Sequence, residues 1–140
     1  MSALTMAVDN IATVAIASVA MSEIAREAET FLPLPPATFH ILIALADDDR
    51  HGYAVIQDVA ERTGGALKLS AGTLYRSIQR MLEQGLIVEP RERPAAHEDD
   101  ERRRYYRITP LGTAVAKAEA RRLTQLVKLA RAAGFAPGRA

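Results

Sequence analysis

Thr73, Tyr75, Arg76, Gln79 and Arg80 recur within eight residues and bring hydroxyls, an amide and two guanidinium groups. Arg and Gln can pair with base edges, while hydroxyls, cations and the free N–H groups of a helix start can hold phosphates. That chemistry needs a helix to present it. Ser70 suits the N-cap, where its oxygen accepts a backbone N–H, and Gly85 suits the left-handed residue that ends a helix. Between them Leu74, Ile78, Met81 and Leu82 keep helical spacing, so one stripe is predicted to face a core. The opposite face then carries the donors, and the stretch reads as a recognition helix for duplex DNA.

Other reactive side chains form no comparable set. Asp47-Asp48-Asp49 are consecutive and cannot all turn toward one ion, so they read as a solvated loop. His51 has no second His or carboxylate three or four residues further on and is expected to cap or to lie on the surface. Tyr53, near the same helix start, has two readings: a hydroxyl that reaches a phosphate, or a half-buried core ring. The chain has no cysteine, which removes thiol nucleophiles, disulfides and Cys-type zinc sites and suits a reducing cytoplasm. There is no Gly-rich phosphate loop and no His–carboxylate pair at metal spacing on a predicted helix. The expectation is a protein that is not an enzyme and has no cofactor or metal.

The 140 residues fit one small domain with an added element or two, and 49% hydrophobic content provides a core. Aromatic residues make up 5% and Trp is absent, which disfavours a large aromatic ligand cavity. A net charge of +1 means that any grip on nucleic acid must come from local patches. No apolar run approaches the roughly 18 residues that span a bilayer. Ile11–Met21 has the length of a signal core, but Asp9 precedes it where a basic residue would be expected. A cytoplasmic protein without a membrane partner is predicted.

The chain starts with an Ala/Val/Ile-rich helix, with Asp9 as the expected N-cap and Ile11, Val14, Ser18, Met21, Ala25 and Ala28 at helical period. Apolar residues appear on most of its sides, so it must pack on the domain or on a second subunit. A start at Met21, leaving the first twenty residues outside the natural product, is the alternative. Leu32-Pro33-Leu34-Pro35-Pro36 forms a stiff joint, and Pro36 opens a helix carrying Phe39, Leu42, Ile43 and Ala46. A second short helix places Val55, Ile56, Val59 and Ala60 inward and stops at Thr63-Gly64-Gly65. After the recognition helix, Leu86–Glu89 and Arg102–Ile108 read as two strands around a polar loop holding Pro94 and Glu98–Glu101, a hairpin wing. Thr109 then caps a last helix with Pro110 in its first turn, running to about Ala133. Along it Ala116, Ala120, Leu123, Val127 and Ala130 alternate four and three apart, with Leu126 alongside, a coiled-coil-like seam. So short a chain leaves little of itself to cover that seam, and pairing with a second copy is expected.

In this order the elements carry Phe39-His40-Ile41-Leu42 through His51-Gly52-Tyr53, then Gly72-Thr73-Leu74-Tyr75 with Gly85-Leu86-Ile87, then Arg104-Tyr105-Tyr106-Arg107-Ile108-Thr109-Pro110-Leu111-Gly112. From about Pro35 to Leu129 the chain resembles the phenolic acid decarboxylase repressor (PadR) family of winged helix-turn-helix regulators. The resemblance implies a mainly α fold with a small β-hairpin wing: an N-terminal helical extension and joint (1–33), a winged helix-turn-helix domain (34–109), and a C-terminal dimerisation helix and tail (110–140). It also implies a homodimeric repressor on a palindromic operator of double-stranded DNA, with an unidentified small-molecule inducer as a further partner. By that resemblance Tyr53 and Tyr75 hold phosphates, Thr73, Arg76 and Gln79 approach base edges, and Arg102, Arg103 and Arg104 serve the wing. Ser70 and Arg80 complete the DNA-facing set, and Ala116, Ala120, Leu123, Leu126, Val127 and Ala130 the dimer face. Ala71 stands where the family usually has Pro, and Ala is also a good first helical residue. Some members hold flat aromatic drugs between tryptophans, a ligand class that a chain without Trp does not inherit. The alternative function is a winged-helix protein-interaction module that does not bind DNA.

Overall fold

The computed structural model describes residues 3–92 and 104–135, with side chains from Asn10 onward. Among the described residues five helices run α1 (Ala3–Glu29), α2 (Pro36–Ala44), α3 (Gly52–Arg62), α4 (Ala71–Gln84) and α5 (Pro110–Ala132). Three short strands, β1 (Arg50–His51), β2 (Ile87–Val88) and β3 (Tyr105–Ile108), form an antiparallel sheet in the order β1-β3-β2. Arg50 lies opposite Tyr106, and Ile87 opposite Ile108.

Local chemistry sets most of the boundaries. The Ser70 side chain accepts from Thr73 N at 3.1 Å to start α4, and Gly85 ends it at φ +76°. Thr109 accepts from Gly112 N at 3.0 Å, with Pro110 beginning α5, and Pro36 begins α2. α1 departs from its predicted start. It is already helical at Ala3, so Asp9 is an interior residue, because Ala3-Leu4-Thr5-Met6-Ala7 contains good helix formers.

The core is built where α2, α3 and α4 meet. Ile41, Leu42 and Leu45 are buried with Val55 and Val59 and with Leu74, Ile78 and Met81. Leu86, Ile87 and Tyr106 of the sheet and Val115 and Ala118 of α5 close it. Leu82 sits half-buried at the edge of the predicted α4 stripe.

Two apolar sets lie elsewhere than their spacing suggested. Phe39 and Ile43 of α2, with Ala46 just beyond it, line an open groove against α5, while Ile41 and Ala44 of α2 and Leu45 at its C-cap take the interior. On α1, Ile11, Val14 and Met21 stand in solvent, and Ala28 is the position of the predicted period that reaches the core. Spacing identifies a face but not the element it meets. α1 touches the rest of the chain through its C-terminal part, where Met21, Ile24 and Ala25 border Pro110, Ala114 and Lys117 of α5.

Candidate nucleic-acid interface

The buried stripe of α4 leaves an exposed arc. Projected at 100° per residue, Tyr75 and Gln79 lie together on one side of it, and Thr73, Arg76 and Arg80 on the other. Tyr75, Arg76, Gln79 and Arg80 are exposed and Thr73 is half-buried. Gly72 lies between the two groups with nothing within 4 Å of where a Cβ would stand, so the backbone of the first turn is open to approach. Among the described residues neither Arg76 nor Arg80 is held by an acid, and both cations face solvent. Gln79 Nε2 donates to Glu83 Oε1 at 3.2 Å, which orients the amide along the helix.

The first turn is set by Ser70. Its Oγ accepts the Thr73 N–H and donates to Thr73 Oγ1 at 3.0 Å. Both groups are committed to the cap, which makes Ser70 a holder of the helix start. Tyr53, at the start of α3, is 59% exposed, and Tyr75 is 52% exposed. Tyr53 is therefore not the core ring that was its other reading.

Gly52 had no assigned role in the sequence, yet it governs Tyr75. A Cβ there would fall 2.6 Å from the Tyr75 hydroxyl, so the ring crosses the start of α3 in the space that this glycine leaves. The clue was present in His51-Gly52-Tyr53, where a glycine begins a helix without a turn to require it. His51 caps α3, its Nδ1 accepting from Ala54 N at 3.1 Å, and its ring meets Tyr105 edge-on at 5.5 Å.

Asp47 and Asp49 of the α2–α3 loop and Asp58 of α3 are paired with arginines. Asp49 takes a two-pronged bond from Arg107, at 3.0 Å to Nε and 2.8 Å to Nη2. That bond holds the Arg107 guanidinium in its charged form, its pKa raised by the hydrogen bond and then by the charge. Asp58 joins Arg50 and Arg62, and Arg62 also reaches Asp47 at 3.7 Å. Arg50 Nε further donates to Ala44 O at 2.8 Å, tying β1 to the end of α2. The Asp47-Asp48-Asp49 loop is exposed at Asp47 and Asp48, as expected of a solvated loop, and is tied to β3 at Asp49 through Arg107. In the wing, Arg104 approaches Glu89 at 3.7 Å. Arg102, Arg103, Pro94 and Glu98–Glu101 lie outside the described residues. Among the described residues no group of three or more His, Asp or Glu gathers to hold a metal ion.

Ala116 and Ala120 of α5 line a groove of about 410 Å³ with Phe39, Leu42 and Ile43 of α2. Leu123 and Val127 continue the line in a shallower groove with Thr124 and Lys128. Leu126 is exposed and Ala130 half-buried.

Three helices on one core, the third capped and presented outward, followed by two strands of a hairpin, define a winged helix-turn-helix. Residues 41–118 match the Transcriptional regulator PadR-like family, and the chain belongs to it. The chain is 33% identical over 89 residues to the transcriptional regulator Rv3488 of Mycobacterium tuberculosis, covering 64% of this chain and 77% of that protein. A transcriptional regulator from Clostridium thermocellum aligns with a TM-score of 0.58 at 26% identity, over 68% of this chain and 86% of its own. A PadR family transcription regulator from Clostridium difficile shares the fold with a TM-score of 0.60 at 24% identity, over 69% and 96%.

Proposed function

We propose that this PadR-family transcriptional regulator represses its targets as a homodimer on a palindromic operator, with α4 of each copy in the major groove. The observation that carries this reading is the exposed arc of α4, where Arg76 and Arg80 have no acid holding them among the described residues. Tyr53 and Tyr75 flank the arc as phosphate contacts, and Thr73, Arg76 and Gln79 read base edges. Arg80 and the wing residues Arg102, Arg103 and Arg104 attract the backbone. The grooves beside Ala116, Ala120, Leu123 and Val127 support dimerisation, since small residues let two helices approach closely and the apolar face needs a cover. No helix among the described residues is long and apolar enough to cross a membrane, and the work is assigned to the cytoplasm.

The test is selection of bound duplexes from a random pool, followed by binding titrations. A palindromic consensus is expected. Arg76→Ala should lower discrimination at one base position in each half-site by about 1–3 kcal/mol. Arg80→Ala should weaken all sequences alike and flatten the plot of log K against log salt by about 0.9 per phosphate lost. A pool that returns no consensus, with affinity independent of salt, would overturn the reading in favour of a protein-binding module.

A further inference from the structure

We propose that the uncharged stretch of α1 from Asn10 to Ser22 is a second self-association surface, and that it docks on the outer half of α5 of another copy of this chain. The proposal rests on the homodimer reading above and adds to it an element that lies outside the family match at residues 41–118.

From Asn10 to Ser22 the helix carries no charge, a length of about 20 Å at 1.5 Å per residue. Ile11, Val14, Ile16, Val19 and Met21 all stand in solvent within one chain, Ile16 and Met21 at 71%. At 100° per residue Val14 and Met21 lie on one side, and Ile16 and Val19 roughly opposite. A helix that is apolar on all sides is stable only when neighbours surround it. One edge of α5 does not supply them.

The second copy is chosen by length and charge. One face of α1 is lined by Ala15, Ile16, Val19 and Ala20 and ends at Glu23. One face of α5 is lined by Leu123, Thr124 and Val127 and ends at Lys128 and Arg131. Each extends about 12 Å along its helix, each is apolar along its length, and the charges that close them are opposite. Among the described residues Glu23, Glu27, Lys128 and Arg131 make no ion pair within the chain, so both sets remain available to a neighbour. If two α5 helices cross near the small residues Ala116 and Ala120, they diverge beyond that point, and the outer half needs another cover. Two-fold symmetry supplies two such contacts per dimer, since each α1 can cover the partner's α5.

The experiment uses the full chain in sedimentation equilibrium at physiological salt. The double variant Ile16→Ser/Val19→Ser should raise the dimer dissociation constant tenfold or more, roughly the loss of one strong interface anchor. Its melting temperature, read on the winged domain at low concentration, should stay that of the parent. An unchanged dissociation constant overturns this proposal and leaves the homodimer intact. A parent chain that is itself monomeric overturns both. A mixture then separates contact between copies from contact within one. Glu23→Lys/Glu27→Lys chains mixed with Lys128→Glu/Arg131→Glu chains should form predominantly the mixed dimer, because like charges oppose each other in either homodimer. A statistical mixture of the three species would overturn the proposed pairing.

Discussion

A methyl group added at Gly52 would stand 2.6 Å from the Tyr75 hydroxyl, 3.0 Å from its Cζ and 3.2 Å from Leu74 Cδ2. The atoms in the way are chiefly the free end of a half-exposed ring, and alanine is the better helix former. Gly52→Ala should therefore leave stability within about 1 kcal/mol of the parent, since propensity offsets the crowding. Operator affinity should still fall, because a displaced Tyr75 would lose the proposed phosphate contact, a charge-assisted hydrogen bond worth about 1.5–3 kcal/mol. Tyr75→Phe should cost the same, and the double variant no more than either; losses that add would show that the two residues act separately. Glu119 is a residue-scale feature of another kind. It is 2% exposed, accepts Leu34 N–H at 2.7 Å and pairs with Arg122. The Arg122 hydrogen bond, helped by Leu34 N–H and opposed by burial, holds its carboxyl below the ordinary glutamate pKa. A carboxyl depressed in the folded state gives its full stabilisation above about pH 4.3, the unfolded value. That contribution is lost as the pH falls through the folded value. Glu119→Gln should cost about 1–3 kcal/mol at neutral pH and flatten stability against pH on the acid side. Equilibrium urea unfolding at pH 7 and across pH 3–5 reads both effects.

Among the elements, the junction between α4 and α5 has the least tolerance. Thr109 Oγ shares its proton between Gly85 O at 2.6 Å and Leu86 O at 3.0 Å, and Thr109 N donates to Leu86 O at 3.1 Å. A Cβ on Gly112 would lie 2.1 Å from Leu86 O and 2.9 Å from Ile108 Cγ1. Here the obstacle is backbone, which cannot turn aside. Gly112→Ala should destabilise by about 1–3 kcal/mol or more, seen as a lower urea midpoint at unchanged slope, despite the better helix propensity of alanine. Much of this scale could be read from the chain, because caps and stripes are local. Ser70, Gly85, Thr109 and Pro110 declare their positions by type alone, and the α4 donors follow from the spacing of Leu74, Ile78 and Met81. What stayed hidden needs distant partners. Arg107 meets Asp49 across 58 positions and Leu34 meets Glu119 across 85, and a glutamate within Ala118-Glu119-Ala120 reads as solvent charge until its neighbours are known. β1, at two residues, is too short for alternation to mark it. Phe39 and Ile43 keep helical spacing, yet they line a groove, because spacing does not distinguish a face covered by its own chain from one left for another.

At the scale of the whole molecule, the charges set expectations for binding in solution. A net charge of +1 gives little long-range attraction, so under the proposed function affinity for DNA would rest on the cations of α4 and the wing and should be strongly sensitive to salt. If each subunit neutralises three to five phosphates, log K should fall with log salt at a slope of about −5 to −9 for the dimer. A slope near zero in a titration from low to physiological salt would remove DNA as the partner. The knot of bonds from Thr109 to Gly85 and Leu86 has a consequence on this scale. The end of α4 and the beginning of α5 share one hydrogen-bonded corner, so in the proposed dimer the separation and tilt of the two α4 helices would be preset. Such an assembly works as a calliper. One base pair inserted at the centre of its operator displaces one half by about 3.4 Å and turns it by about 35°, and a frame without slack at that corner should refuse the lengthened site even with every contacted base in place.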